Sequence, residues 1–219
     1  MSKRLLIIST HPDDETLSFG GLMARAKRRG DQVWLHTFCV GGPASNVATE
    51  IRLEELKNVA KYFGVHELSW DDRELDGKLS TVNNCELTAN IDKLIRTIRP
   101  EEVYCTAMSE HSDHIATVQA FKGAARLKTG YMPKLFAIGT YPFSDQLYSM
   151  PDGGKIFQPM SEELFLEKCE AFKLHQSQFK PSPSPLGIDG IETQARYYGM
   201  MCGHKYAELY YQLRYIRCE

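Results

Sequence analysis

Neither a GxGxxG nor a GxxxxGK[ST] stretch follows the first apolar run of the chain, so a nucleotide is not expected in a glycine-cradled phosphate loop. Charge of one sign is not in surplus either. With 26 basic and 28 acidic residues the formal net charge is −2, which gives no long-range attraction for nucleic acid or anionic lipid. A small molecule is the expected partner. The six cysteines, at 39, 85, 105, 169, 202 and 218, include no CxxC pair and no regular framework. Cys39 and Cys105 fall inside apolar runs, so the thiols read as reduced core residues. No apolar stretch approaches a membrane span, and Leu5 to Ile8, although preceded by Lys3 and Arg4, is too short for a signal-peptide core. The cytoplasm is therefore the expected compartment. There is no internal repeat, and the only compositional oddity is the brief PSPSP at 181–185.

What is present is an alternation. At 219 residues the chain fits one domain, 1–219, large enough to bury a core. Leu5 to Ser9 is an apolar run of strand length, and Thr16 to Arg29 has a helical mix ending at Gly30, a natural residue just past a helix C-terminus. The unit repeats as a strand at Gln32 to Val40 and a helix at Asn46 to Phe63, stopped by Gly64. Val65 to Trp70 then predicts a strand, DDRELDGKLS a loop, and Glu86 to Ile98 a helix halted by Pro100. Glu102 to Ala107 is the fourth strand, His114 to Leu127 a helix, and Lys134 to Tyr141 the fifth strand. Beyond Pro142 the rhythm changes: PDGGKIFQP reads as an excursion or hairpin, Ser161 opens a helix with Glu162 and Glu163 in its first turn, and Ile188 to Cys202 is a last helix. Tyr206 to Cys218 fits an edge strand or a short helix. The class is α/β, a Rossmann-like three-layer fold whose mainly parallel sheet has the expected order 3-2-1-4-5 and helices on both faces.

Two places carry unusual charge. HPDDE follows the first strand directly, and EHSDH follows the fourth. Ligands in open parallel sheets gather beyond the carboxyl ends of the strands where the strand order reverses, and an order of 3-2-1-4-5 makes the first and fourth strands neighbours there. His11 and Asp14 lie three apart at one helix entry, and His111 and His114 repeat that spacing at another. Two imidazoles and a carboxylate on one cation leave a position for water, which predicts His11, Asp14 and His114 as metal ligands. Asp13 is then the carboxylate free to accept a proton from water, and His111 the group facing substrate, as oxyanion stabiliser or proton donor to a leaving amine, with Asp113 orienting its ring. Each motif alone has a plainer reading, as a surface HxxH pair or an acidic helix start. Their joint occurrence after buried-type strands favours the metal site.

A first strand ending in HPDDE, a glycine-containing loop after the second strand, the helix EIRLEELKNVAKYFGV and the later HxDH together resemble the LmbE-like, or PIG-L, deacetylases. The similarity is strongest from residue 1 to about 120 and resumes in KCEAFKLHQSQF and GHKYAEL. This resemblance implies a metal-dependent enzyme that removes an acyl group, usually acetyl, from an N-acetylglucosamine-type amino sugar or its conjugate. By position it implies one zinc or ferrous ion per chain on His11, Asp14 and His114, Asp13 as general base, and His111 supported by Asp113 near the oxyanion. It also suggests Arg52 in contact with the sugar or an attached group, and His175 and Gln178 at the rim. Some relatives carry a tyrosine just before HxDH where this chain has Ser109 and Glu110, so Tyr141, Tyr197 or Tyr198 stands as a replacement, unless His111 and the metal suffice. The segment from Pro142 to Pro159 matches no pattern of the family.

Two other functions compete. A metal phosphoesterase would use Asp13 and Glu15 to recruit a second cation. A binding module would use the crevice for a sugar or nucleotide without turnover. The oligomeric state is left open, a homo-oligomer included.

Overall fold

The computed structural model describes residues 2–106, 109–126, 128, 130–140 and 154–217. Strand β1 (Arg4–Ser9) leads into helix α1 (Asp14–Arg29), β2 (Gln32–Thr37) into α2 (Thr49–Phe63), and β3 (Glu67–Trp70) through a 3₁₀ turn into α3 (Asn84–Ile98). Then follow β4 (Glu102–Cys105), α4 (Ser112–Ala124), β5 (Leu135–Ile138), β6 (Gly154–Met160), α5 (Glu162–Phe172), α6 (Ile188–Met201) and β7 (Tyr206–Tyr215). They build one seven-stranded sheet of order β3-β2-β1-β4-β5-β7-β6. The first five strands are parallel in the expected order, and β7 runs antiparallel to both β5 and β6.

Why β1 is central follows from its residues. Successive side chains of a strand point to opposite faces, and all of Leu5 to Ile8 are apolar, so both faces must be covered. Leu5 and Ile7 pack with Leu17 and Leu22 of α1, Val59 of α2 and Phe172 of α5. Leu6 and Ile8 pack on the other side with Leu87 and Ile91 of α3 and Phe121 of α4. The helices thus form outer layers around the sheet, and the loops at the carboxyl ends of β1 and β4 are left facing the same crevice.

The two uncertain segments resolve as strands. Gly154–Met160 is the outer edge, and Tyr206–Tyr215 lies inside it. The alternation is plain in β7: Tyr206 and Tyr210 join the large core, whereas Ala207, Leu209 and Tyr211 pack with Tyr198 of α6. Tyr141 and residues 142–153 lie outside the described residues, as do Ala107, Leu127 and Cys218 at the ends of expected elements.

Helix α1 is broken inside, at Phe19 (φ −136°, ψ 16°), which frees backbone groups that an unbroken helix would pair. A buried ion pair replaces those bonds. The Glu208 carboxylate accepts from Gly21 N at 2.8 Å and Leu22 N at 3.0 Å, and Lys168 Nζ donates to Leu17 O at 2.7 Å and to Glu208 Oε1 at 2.7 Å. Tyr210 donates its hydroxyl to the second Glu208 oxygen at 2.6 Å. The Lys168 stem crosses α1 at Gly20, where a Cβ would fall 2.6 Å from Lys168 Cγ, so the glycine is required for the approach.

A second glycine braces the crevice. Gly42 has φ +151°, and a Cβ there would lie 2.6 Å from Asp76 N and 2.7 Å from Glu74 O. Gly42→Ala is expected to displace the 74–76 loop and cost about 1–3 kcal/mol, read as a lowered midpoint in urea unfolding.

Candidate metal centre

The chain leaves β1 beside β4 because the two strands pair in parallel, Ile8 opposite Cys105. Thr106 N donates to Ile8 O at 3.0 Å, and Thr10 N to Thr106 Oγ1 at 3.2 Å, so the two exits stay joined past the last strand residues. His11 and His114, 103 residues apart in sequence, meet across this seam.

His11 Nδ1 lies 3.1 Å from His114 Nε2 and 3.4 Å from Asp14 Oδ2, and His114 Nε2 lies 3.1 Å from the same oxygen. All three side chains are buried. A tetrahedral cation with bonds of about 2.0–2.1 Å holds its ligands about 3.3 Å apart, so this triangle of two nitrogens and one oxygen has the dimensions and donor chemistry of a zinc or ferrous site. Asp14 also accepts from His11 N at 2.9 Å, which fixes its carboxylate at the start of α1. Burial would raise the Asp14 pKa, but the His114 and His11 rings hold it well below the usual carboxylate range. Burial likewise opposes charge on His11, yet hydrogen bonds with Asp113 and Asp14 carry its pKa up to about 9.

The other expected residues stand around this triangle. Asp13 caps α1 with φ 115° and ψ −37°, a conformation that costs a non-glycine residue energy and occurs preferentially at functional sites. Burial and the neighbouring Asp14 push its pKa up to about 7, against the opposing pull of His175 and Arg52. His111 is the N-cap of α4, with Nδ1 accepting from Asp113 N at 3.3 Å, and its half-exposed ring meets the His11 ring edge-on at 5.0 Å. Burial, then the charge on His11, lowers its pKa.

Asp113 is employed differently from the expectation that it orients His111. Its carboxylate accepts from Gly77 N at 2.6 Å and Leu79 N at 3.0 Å, and its Oδ2 lies 3.3 Å from His11 Nε2 but 3.9 Å from His111 Nδ1. The Gly77 and Leu79 amides hold the carboxylate closer to His11 than to its sequence neighbour His111. Burial would raise its pKa, but the His11 hydrogen bond and the Gly77 amide hold it below the usual carboxylate range.

Arg52, on α2, does reach the cleft, but it is neither solvated nor paired with Glu55. It donates Nη1 to Asp76 Oδ2 at 2.8 Å and Nη2 to Pro12 O at 3.1 Å. Glu55 instead holds Ser177, accepting from its backbone N at 2.7 Å and its hydroxyl at 2.6 Å. The cleft itself has a volume of about 390 Å³ and is lined by Asp13, His111, Arg52 and Asp76, with Asn46 and Gln178 at its margin. Gln178 is thus at the rim as expected; His175 is not, since it is fully buried behind Glu15. Tyr197 and Tyr198 border a separate groove along α6, and Tyr141 lies outside the described residues. Asp76 and the pairing of Glu15 with His175 carry no sequence signal, because a carboxylate within a polar loop and a contact across 160 residues become visible only when the chain returns on itself.

His11, Asp76, His111 and Asp113 also lie close enough to hold an ion. Asp113 and Asp76 are, however, already bonded to two amides and to Arg52, so the Nδ1 side of His11 offers the better set.

Comparison with known proteins places the chain in a family. The family model described as PIG-L: GlcNAc-PI de-N-acetylase matches residues 6–125. The chain is 28% identical over 227 residues to the diacetylchitobiose deacetylase of Thermococcus kodakarensis, covering 94% of this chain and 81% of that protein. It is 27% identical over 184 residues to the uncharacterized deacetylase YaiS of Escherichia coli, covering 80% and 91%. Among solved structures, the conserved protein TT1542 from Thermus thermophilus superposes with a TM-score of 0.77 at 22% identity over 99% of this chain and 97% of that one, a likeness of fold.

Proposed function

The chain belongs to the PIG-L family, and from that premise we propose that it is a zinc- or iron(II)-dependent N-deacetylase acting on an N-acetylglucosamine-type amino sugar or its conjugate. The observation that carries this reading is the triangle of His11, Asp14 and His114 donors, with the Asp13 carboxylate lining the same open cleft. When bound, the cation supplies Lewis acidity toward an amide carbonyl and lowers the pKa of a water. Asp13 would serve as the general base that accepts a proton from the attacking water. His111, across the cleft, stabilises the charge developing on the amide oxygen or hands a proton to the departing amine. Asp113 accepts from His11 Nε2, which leaves the Nδ1 lone pair facing Asp14 and His114. Arg52, held by Asp76 and the Pro12 carbonyl, forms the wall against which the sugar or its aglycone rests. Residues 1–219 act as one catalytic unit, and the free thiols of Cys39, Cys85, Cys105, Cys169 and Cys202 support a reducing, cytoplasmic setting. No helix among the described residues is long and apolar enough to cross a membrane.

The phosphoesterase alternative needs Glu15 for a second cation. Both Glu15 oxygens are already bonded inside the protein, to Asp13 N and to His175 and Thr16. That disfavours it.

Metal-loaded protein incubated with a panel of N-acetylglucosamine conjugates is expected to release free amine and acetate in equal amounts. Chelation should abolish the release, and one zinc or ferrous ion per chain should restore it. Cation affinity should rise with pH toward 9, since a proton must leave His11 before Nδ1 can coordinate. His11→Ala and His114→Ala should lose the ion. Cleavage of phosphate esters with no amine released from any conjugate would overturn the reading.

A further inference from the structure

The Pro12–Asp13 peptide is gripped at both ends. Its carbonyl accepts from Arg52 Nη2 at 3.1 Å, and its amide hydrogen is donated by Asp13 N to Glu15 Oε2 at 3.0 Å. These two bonds set the plane that precedes Asp13 and so hold its φ at 115°. The Asp13 carbonyl, on the far side, accepts from Thr16 N and Leu17 N at 3.0 and 2.9 Å as α1 begins. Little freedom is left to this residue.

Glu15 can grip only because its other oxygen is occupied. Oε1 accepts from Thr16 Oγ1 at 2.8 Å and lies 2.7 Å from His175 Nε2, and both Glu15 and His175 are fully buried. A carboxylate in such a place without a partner would take up a proton and lose its hold as a charged acceptor. His175 is itself anchored by its backbone: its N donates to Phe172 O at 3.0 Å, and its carbonyl accepts from Gln178 N at 3.0 Å and Phe179 N at 2.9 Å. Thus the stretch after α5, 160 residues from Glu15, reaches the turn that carries the base.

We propose that the buried Glu15–His175 pair is a positioning device for Asp13: His175 fixes Glu15, and Glu15 clamps the Pro12–Asp13 peptide so that the Asp13 carboxylate faces the cleft. Neither residue touches substrate. The proposal rests on Asp13 being the general base, and its test separates the two.

His175→Ala, His175→Gln, Glu15→Ala, Glu15→Gln and Asp13→Asn are compared with the parent protein for kcat, KM, bound metal, melting temperature and hydrogen exchange of the Asp13 amide. His175→Ala and Glu15→Ala are expected to lower kcat by about 10²-fold, the effect of a displacement near 1 Å, with KM and metal content unchanged and the Asp13 amide exchanging faster. His175→Gln, whose amide NH₂ reaches the Glu15 position, and Glu15→Gln, which keeps an oxygen for Asp13 N–H, should recover most of that loss; these two decide the matter if the alanine variants do not fold. Parental kcat and parental Asp13 exchange in the folded alanine variants would overturn the proposal, and loss of metal from them would assign the pair to Asp14 instead. An inert Asp13→Asn beside fully active alanine variants removes the clamp alone; a fully active Asp13→Asn removes the base assignment and the clamp's purpose together. Amide exchange reads the clamp even if no conjugate in the panel is a substrate.

Discussion

Asp13→Asn is expected to abolish most turnover and to make the metal-free protein more stable. The first effect follows from removing the proton acceptor without removing a ligand: kcat should fall about 10²–10⁴-fold while the metal content stays at the parental value. The second follows from burial. Asp13 has its pKa raised from the ordinary 3.8 to about 7 in the folded chain, so between those values the native state binds the proton more tightly than the unfolded state. Its contribution to stability is therefore largest below the unfolded value and is lost as pH rises through the folded one. At pH 8 the ionised side chain is a burden on the order of a few kcal/mol, and asparagine does not carry it. Melting curves in chelator should show the variant above the parent at pH 8 and the two converging near pH 4. A metal-loaded Asp13→Asn protein with undiminished turnover would refute the base assignment, and an unchanged melting point at pH 8 would refute the strained electrostatics.

The largest loss of stability is expected at Lys168. This side chain neutralises Glu208 and serves the Leu17 carbonyl at the break in α1, all away from water. Lys168→Met keeps the stem over Gly20 but leaves a buried carboxylate without its cation, which costs about 3–5 kcal/mol. For a chain of this size that corresponds to a melting temperature lower by about 10 °C. Combining it with Glu208→Gln, which removes the uncompensated charge while keeping an acceptor for one amide, should cost less than the sum of the single changes. A Lys168→Met protein within about 1 kcal/mol of the parent would show that the amides of Gly21 and Leu22 already satisfy Glu208. Because α1 begins at Asp13 and Asp14, the same variant should also hold its metal less firmly.

Much of the architecture was legible because it rests on local signals. Leu5 to Ile8 has no polar face, which demands a central parallel strand, and Gly30 and Gly64 end their helices in the left-handed conformation that glycine accepts. The meeting of HPDDE with EHSDH followed from strand order alone, since adjacent parallel strands open their carboxyl ends into one crevice. The break in α1 was hidden because SFGG fits a helix passably until Glu208 and Lys168 arrive from 190 and 150 residues away in round numbers, distances no local pattern carries. The contact of Asp113 with His11, in addition to its longer ion pair with His111, was hidden for a related reason. Sequence proximity points to His111, whereas the Gly77 and Leu79 amides, brought in from a distant loop, hold the carboxylate 3.3 Å from His11 Nε2. His175 stands in a segment whose resemblance suggests the rim, and Glu15 inside HPDDE reads as a candidate cation ligand, so nothing local indicates that the two pair in the interior.

The antiparallel pair added after β5 decides how the sheet meets its surroundings. An open strand at a sheet border is a template on which other chains can polymerise. Here the outer border is β6, where Pro159 has no hydrogen to donate and its carbonyl is covered by the Arg25 guanidinium, and where Lys155 is exposed. At the opposite border β3 offers only four residues. Among the described residues, both margins therefore carry features that discourage amyloid-like accretion.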